Sequence, residues 1–427
     1  MRALFTLIVL AILSGSVSTV MANTPLIDKI NKDVITWRRH LHQFPELSNR
    51  EFKTAQYITD HLTNLGLEVT TNIAHTGVVA TLNGAQPGPL IALRADMDAL
   101  PITELVMLPF ASKQKGEYKG QEVGVMHACG HDAHVAILMA VASRLVAQKE
   151  QLKGSVMFIF QPAEEGAPNG EEGGAQLMLK EGLFTKRKPD AIFGLHVTNR
   201  LNTGKIGYRS GPIMASEDSF TIKVQGKQTH GSRPWHGVDP IVTSAQIILA
   251  TQTIASRQVN VTQAPSVISF GAVNGGIRSN IIPDHVELVG TIRSFDQDMR
   301  ADIKKRLTST ASYVAQSAGA TAHTHINHGY PVTINNPDLT KKMLPTLQNV
   351  VGNNNVIEMD LITGAEDFSY YALKTAGIFF FLGITPKEQD HATLPSNHSP
   401  HFYIDEQALP IGVESLTNLA LNYLNTP

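Results

Sequence analysis

The order of apolar runs changes once along this chain, near Gly207, and that change constrains the fold more than any single residue does. Upstream, the short runs "GVVATLNG", "PLIALRADMDALP", "GSVMFIFQPAEE" and "AIFGLHV" are bounded by Gly, Pro or polar residues and alternate with helix-like segments. That pattern predicts buried strands in an α/β sheet with helices on both faces. Helices are expected over "DKINKDVITWRRHLHQFPE", where Ile30, Val34, Ile35, Trp37 and Leu41 fall near helical spacing before Pro45, over about Asn49 to Leu65, and over about Ala133 to Gln148. Downstream come strand "SFTIKVQG", helix "DPIVTSAQIILATQTIAS", strands "SVISFGAVNGG" and "HVELVGTIRSF", helix "QDMRADIKKRLTSTASYVAQSAG" and strand "TAHTHINHGYP". This βαββαβ order is that of a ferredoxin-like split unit. The helix "PDLTKKMLPTLQNVVG", the loop "GAEDFSYY" and the strand "GIFFFLG" return to the first pattern. The expected architecture is a doubly wound mixed α/β sheet domain, residues 23–206 and 325–427, interrupted by an inserted ferredoxin-like α+β lid at 207–324.

The charge balance, 35 basic against 37 acidic residues in 427, leaves no excess to hold a phosphate backbone or an anionic membrane, so nucleic acid is not an expected partner. The N-terminus has a short basic start, an apolar run from Ala3 to Leu13, small and polar residues, then "VMA". That order predicts a secretory signal peptide over residues 1–22, cleaved after Ala22, and a soluble mature protein in a periplasm or outside the cell. Export sharpens the meaning of Cys129, the only cysteine, which has no disulfide partner within the chain. It lies in "MHACGHDAH", Met126 to His134, among three histidines and an aspartate.

On a doubly wound sheet, functional groups gather in loops beyond the carboxyl ends of strands. Asp96 and Asp98 after "LIALR", Glu164 and Glu165 after "VMFIFQ", His196 ending "AIFGLH", and the "EDF" loop are expected there, with "MHACGHDAH" and "LPSNHSPHF" within reach. Thiolate, imidazole and carboxylate together suit zinc, manganese, cobalt or nickel better than calcium or magnesium. At a strand end adjacent side chains point different ways, so one of Glu164 and Glu165 can ligate metal while the other acts as general base. Glu171 and Glu172 are read as a solvated acidic turn. On helical spacing His127, His131 and His134 could share one face; for His127 and His134 a place behind the ligands or a structural role is preferred, while Asp132 could orient a ligand or cap the following helix.

The blocks "LRADMDALPI", "MHACGHDAH", "FQPAEEG", "FGLHV", "GKQTHGSRPWHGVDPI", "GGIRSNIIPD", "GTIRSF", "GAEDF" and "NHSPHF" occur in an order that resembles the metal-dependent amidohydrolase and peptidase family. That family includes N-acyl-amino-acid amidohydrolases, hippurate hydrolases, indoleacetyl-amino-acid hydrolases and, more distantly, glutamate carboxypeptidases. The resemblance implies two divalent metal ions held by Cys129, His131, Glu165, His196 and His398, with Glu164 as general base and Asp98 as an acidic support. It also implies that His230, Asn280 and Arg293, from the inserted domain, bind the substrate carboxylate or polarise the scissile carbonyl. In several relatives that histidine reaches the neighbouring subunit's site, which makes a homodimer through the lid an expectation. From the residues alone, a salt bridge within the lid is the first reading for Arg293, and a turn cap for Asn280. "GSRPWHGVDP" departs from relatives at Ser232, Arg233 and Trp235, which bears on the substrate pocket. The expected activity is hydrolysis of an N-acyl amino acid or similar small amide; a dipeptidase or carboxypeptidase, and a non-catalytic periplasmic binding protein, are the alternatives.

Overall fold

The computed structural model describes residues 26–425, so the signal-peptide reading of residues 1–22 lies outside the described residues. Two compact units form: one from residues up to Tyr208 with Asn336–Glu358 and Lys374 onward, the other from Arg209–Asn335 with Met359–Leu373.

The first unit is built on an eight-stranded mixed sheet. Its strands run in the order Glu68–Ile73, Gly77–Asn83, Lys153–Gln161, Gln86–Asp96, Ala191–Asn202, Ala376–Thr385, Ile206–Tyr208 and Val356–Glu358. The central four, from Lys153–Gln161 to Ala376–Thr385, are parallel. All are nearly continuous apolar runs, as strands covered on both faces must be. Parallel register sets Asp96 opposite Gln161 and Arg94 opposite Gly194, so the carboxyl ends of three neighbouring strands finish side by side. The helix His131–Val146 packs on the strand Gln86–Asp96 and against the helices Phe52–Asn64 and Leu409–Asn425. It is buried on every side from His131 to Ala142, so it is a core helix without a solvent face.

The second unit is a four-stranded antiparallel sheet ordered Ser266–Asn274, His285–Ser294, Ser216–Gln225, Thr321–His328. In chain order that is 2-3-1-4, the ferredoxin-like arrangement, with the helices Pro240–Thr253 and Gln297–Ser317 packed together over it. Along Ser216–Gln225 alternate residues Phe220, Ile222 and Val224 are buried, the period of a sheet with one apolar face. Asp239 and Asp296 cap the two helices by accepting from backbone N–H groups of their first turns.

The domain boundaries differ from the sequence reading. The inserted unit does not stop at 324, because the strand Thr321–His328 pairs along its length with the first lid strand, His328 opposite Asp218. It also takes in the "EDF" segment: Ile362 N–H donates to Ile213 O at 3.0 Å, and Thr333 Oγ1 to Glu366 O at 3.2 Å. Among the described residues no helix is long and apolar enough to cross a membrane.

Candidate active site

Five segments distant in sequence bring their side chains to the carboxyl edge of the large sheet. Gly130, at φ 96°, turns the chain from the Met126–Cys129 segment into the helix that starts at His131. A Cβ there would overlap Cγ2 of Val197, so this position demands glycine twice, by conformation and by space. The turn lets Cys129 and His131 face the same point. His196 stands in the strand Ala191–Asn202, two residues beyond the level of Arg94. His398 has a left-handed φ of 69° and is held by its N–H, which donates to Ala128 O at 2.8 Å.

The five residues expected to bind metal converge. Cys129 Sγ lies 3.3 Å from His196 Nε2 and 3.3 Å from His398 Nε2. His398 Nε2 is 3.1 Å from Glu165 Oε1, and His131 Nε2 is 4.0 Å from both Glu164 Oε2 and Glu165 Oε1. Ligand atoms of Cys129, His131 and His196 all fall within 4.8 Å of one another, as do those of Cys129, Glu165 and His398.

Hydrogen bonds behind the histidines set which nitrogen faces the centre. His131 Nδ1 is 2.8 Å from Asp98 O, and His196 Nδ1 is 2.7 Å from Val197 O. A carbonyl accepts only, so each Nδ1 carries a proton, and in the neutral imidazole Nε2 is the atom left with a lone pair for a cation. His131 Nε2 is buried without a hydrogen-bond partner, a costly state that a cation would relieve. The Cys129 thiol is pushed well up by burial, Glu165, Glu164 and Asp96. Burial opposes protonation of His131, yet Asp96, Asp98 and Glu165 outweigh it and raise the imidazole to about 10. A centre this rich in carboxylates holds protons where it lacks positive charge, and the donor set of thiol, imidazole and carboxylate fits a borderline divalent ion.

Asp98 holds the backbone of the acidic pair. Its Oδ1 accepts from Glu164 N–H at 3.0 Å, and its Oδ2 from Glu165 N–H at 2.9 Å and Ser48 Oγ at 2.7 Å. Glu164 is buried.

The remaining groups of "MHACGHDAH" have other work. The helix begins at His131, so His127 does not share a helix face with it, and both His127 nitrogens are buried without partners. Burial lowers its pKa to about 3, keeping it neutral. Asp132 neither caps the helix nor faces the metal ligands. It accepts from Arg38 Nε at 2.7 Å and pairs with His42 Nδ1 at 2.8 Å, and His42 Nε2 reaches Glu104 at 3.1 Å. Glu171 and Glu172 are paired, to Arg50 at 2.6 Å and to Lys180 at 2.5 Å, so the turn is acidic but tied down. The sequence reading missed Asn397, whose Nδ2 donates to Cys129 O at 3.0 Å and to Val197 O at 3.4 Å, clipping three ligand-bearing segments together. Its only signal was its place before His398.

Within the inserted unit, His230 and Asn280 come together. His230 pairs with Ile281 across a two-stranded ribbon, and Gly231 N–H donates to Asn280 O at 2.8 Å. Ser232 N–H donates to His230 Nδ1 at 3.0 Å, which leaves Nε2 as the proton-bearing atom of the exposed ring. Arg293 is elsewhere. It lies 3.4 Å from Glu217 and donates to Thr291 Oγ1 at 2.5 Å, the within-lid ion pair favoured from its sequence context. The ribbon leaves the sheet where Gln225 pairs with His285, whereas Arg293 pairs with Glu217 at the other end. At about 3.4 Å per residue, roughly 27 Å of strand separates the two ends.

A mixed sheet with a thiol, imidazoles and carboxylates at the carboxyl edge of its parallel strands, and a ferredoxin-like insert, fits a metal-dependent hydrolase. The family model described as Peptidase family M20/M25/M40 matches residues 92–422, and the chain belongs to that family. It is 40% identical over 409 residues to thermostable carboxypeptidase 1 of Saccharolobus solfataricus, covering 94% of this chain and 99% of the relative. It is 37% identical over 388 residues to N-acetyl-L-cysteine deacetylase of Bacillus subtilis, covering 91% and 87%. The crystal structure of Bacillus subtilis YxeP protein, described as a dinuclear metal binding peptidase from the M20 family, matches with a TM-score of 0.77 at 34% identity, covering 94% and 100%.

Proposed function

We propose that this metal-dependent hydrolase cleaves the amide bond of N-acyl amino acids or similar small amides, and that it does so after export. The observation that carries the reading is the convergence of Cys129, His131, Glu165, His196 and His398 around one point, with Glu164 beside them. Two of the triads that could hold an ion, Cys129–His131–His196 and Cys129–Glu165–His398, share Cys129, which suits two ions. Bound there, divalent ions supply Lewis acidity and acidify water toward neutral pH.

Glu164, beside the residues that would hold those ions, would serve as general base, accepting a proton from the attacking water at its carboxylate and passing it to the leaving amine. Asp98, by holding the N–H groups of Glu164 and Glu165, keeps the base and the ligand turned to separate tasks. His230, with Nδ1 occupied by Ser232, offers Nε2–H to the oxyanion. Arg293 meets the substrate carboxylate with two parallel hydrogen bonds after exchanging its Glu217 contact. Arg293 lies at one end of the lid strand and the ribbon that carries His230 departs from the other, so the reading assigns the two residues to different centres. A homodimer in which the partner supplies His230 and Asn280 completes the reading.

The name of the Bacillus relative favours N-acyl amino acids; that of the Saccharolobus relative favours a second reading, carboxypeptidase action on free peptides. Metal-stripped enzyme, restored in turn with Mn, Zn, Co or Ni, is assayed on N-acetyl and N-benzoyl amino acids against free dipeptides. Turnover of dipeptides alone defeats the first reading, and the restoring ion identifies the working metal. The mass of the protein recovered from its native host tests export: retention of residues 1–22 contradicts it.

A further inference from the structure

Three successive backbone N–H groups, those of Ala163, Glu164 and Glu165, are all taken by buried carboxyl groups. Asp98 takes the second and third. The first goes to Glu51, whose Oε1 accepts from Ala163 N–H at 2.9 Å. Glu51 is wholly buried, and its Oε2 accepts from Thr76 Oγ1 at 2.6 Å. It precedes the helix Phe52–Asn64 but does not cap it with its side chain, the ordinary use of an acid at that position. Its carboxyl is committed to the loop instead.

Ala163 adopts φ 51°, a left-handed conformation disfavoured for any residue with a Cβ, and it is buried. The direction in which Glu164 and Glu165 leave the strand Lys153–Gln161 depends on that turn. The neighbours of Glu51 act on the same loop. Ser48 Oγ donates to Asp98 at 2.7 Å, Asn49 Nδ2 donates to Glu171 Oε2 and Glu172 O at 3.0 Å each, and Arg50 pairs with Glu171 at 2.6 Å. The stretch "SNRE" is thus a clamp on the loop that carries the base, anchored from a segment more than a hundred residues away.

We infer that Glu51 is a positioning residue for catalysis: by holding the N–H of Ala163 in its left-handed turn, it aims Glu164 at the water and Glu165 at the metals. The inference rests on the proposed role of Glu164. Glutamine preserves the arrangement, since its carbonyl can accept from Ala163 N–H and its amide can donate to Thr76 Oγ1.

The test compares Glu51→Ala, Glu51→Gln and Thr76→Val in the full-length enzyme at saturating metal, on whichever substrate the wild type turns over. The expected result is a kcat lower by about 100-fold in Glu51→Ala, with KM within about threefold, since small displacements of a reacting group cost on that order. Glu51→Gln restores most of that loss. Thr76→Val, which removes one support of the carboxyl, lowers kcat by roughly tenfold. A folded Glu51→Ala enzyme with wild-type kcat overturns the inference, as does a Glu51→Gln enzyme no better than Glu51→Ala. If Glu51→Ala does not fold, an unchanged kcat in Thr76→Val overturns it. Failure of the Glu164 reading is seen separately, as retained activity in Glu164→Gln.

Discussion

Val197 donates its backbone N–H to Nε2 of His134 at 2.9 Å, and this bond occupies the lone pair that a metal would need. The other nitrogen, Nδ1, is 2.5 Å from Asp96 Oδ1, so neither has a free lone pair. His134 instead fixes the strand that carries His196.

His134→Ala and His131→Ala therefore differ. His134→Ala keeps its full metal content at saturating metal but binds more weakly, by about 10–100-fold, the usual effect of losing a group behind the ligands. His131→Ala loses metal outright. Metal titration followed by elemental analysis separates them, and equal loss of stoichiometry in both refutes the assignment.

Glu164→Gln retains its metals and loses hydrolysis, by about 100-fold to 10,000-fold in kcat, the usual contribution of a positioned base. Steady-state kinetics alongside metal analysis checks both halves. Full activity in this variant removes Glu164 from the mechanism.

Gly130→Ala places a methyl group against Val197 in a left-handed turn. Overpacking of this kind costs about 1–3 kcal/mol. The expected outcome is a lower unfolding midpoint together with weaker metal binding, because Cys129 and His131 flank the turn. Calorimetry with and without metal measures it.

His42 lies between Asp132 at 2.8 Å and Glu104 at 3.1 Å. Burial and Arg38 work against its charge, but the two carboxylates prevail and its pKa is raised above the ordinary 6.5. A raised folded pKa means that its stabilisation is complete below pH 6.5 and is lost as pH rises through the folded value. Thermal unfolding of wild type and His42→Gln should therefore differ most in mild acid and converge in alkali. A gap that widens with pH contradicts the pairing.

Mixing Glu164→Gln with His230→Ala tests the shared site. Each variant alone is impaired, and hybrid dimers regain activity if the partner supplies His230, since one of the two centres then has both residues. No recovery after subunit exchange argues that His230 acts within its own chain.

Much of this was legible from residues alone. The apolar runs around "PLIALR", "VMFIF" and "FFFLG", short and bounded by Gly, Pro or polar residues, read as strands covered on both faces, and the βαββαβ order matched a split unit. The five residues expected as ligands and the one expected as base followed from a resemblance spread over ordered blocks, and the structure brings all six side chains together. Where the sequence reading stopped, the missing information was tertiary. The lid extends past 324 and takes in Met359–Leu373 because strand pairing, unlike a change of pattern, ignores chain order. His134 and Asp132 could not be separated from His131 by spacing, since their partners, Val197, Arg38 and His42, lie far away in the chain. The sequence determined which chemical groups are present and which elements carry them. Only the tertiary structure decided which nitrogen, which carboxyl oxygen and which backbone N–H face each other, because in a buried site hydrogen bonds between remote segments set those directions.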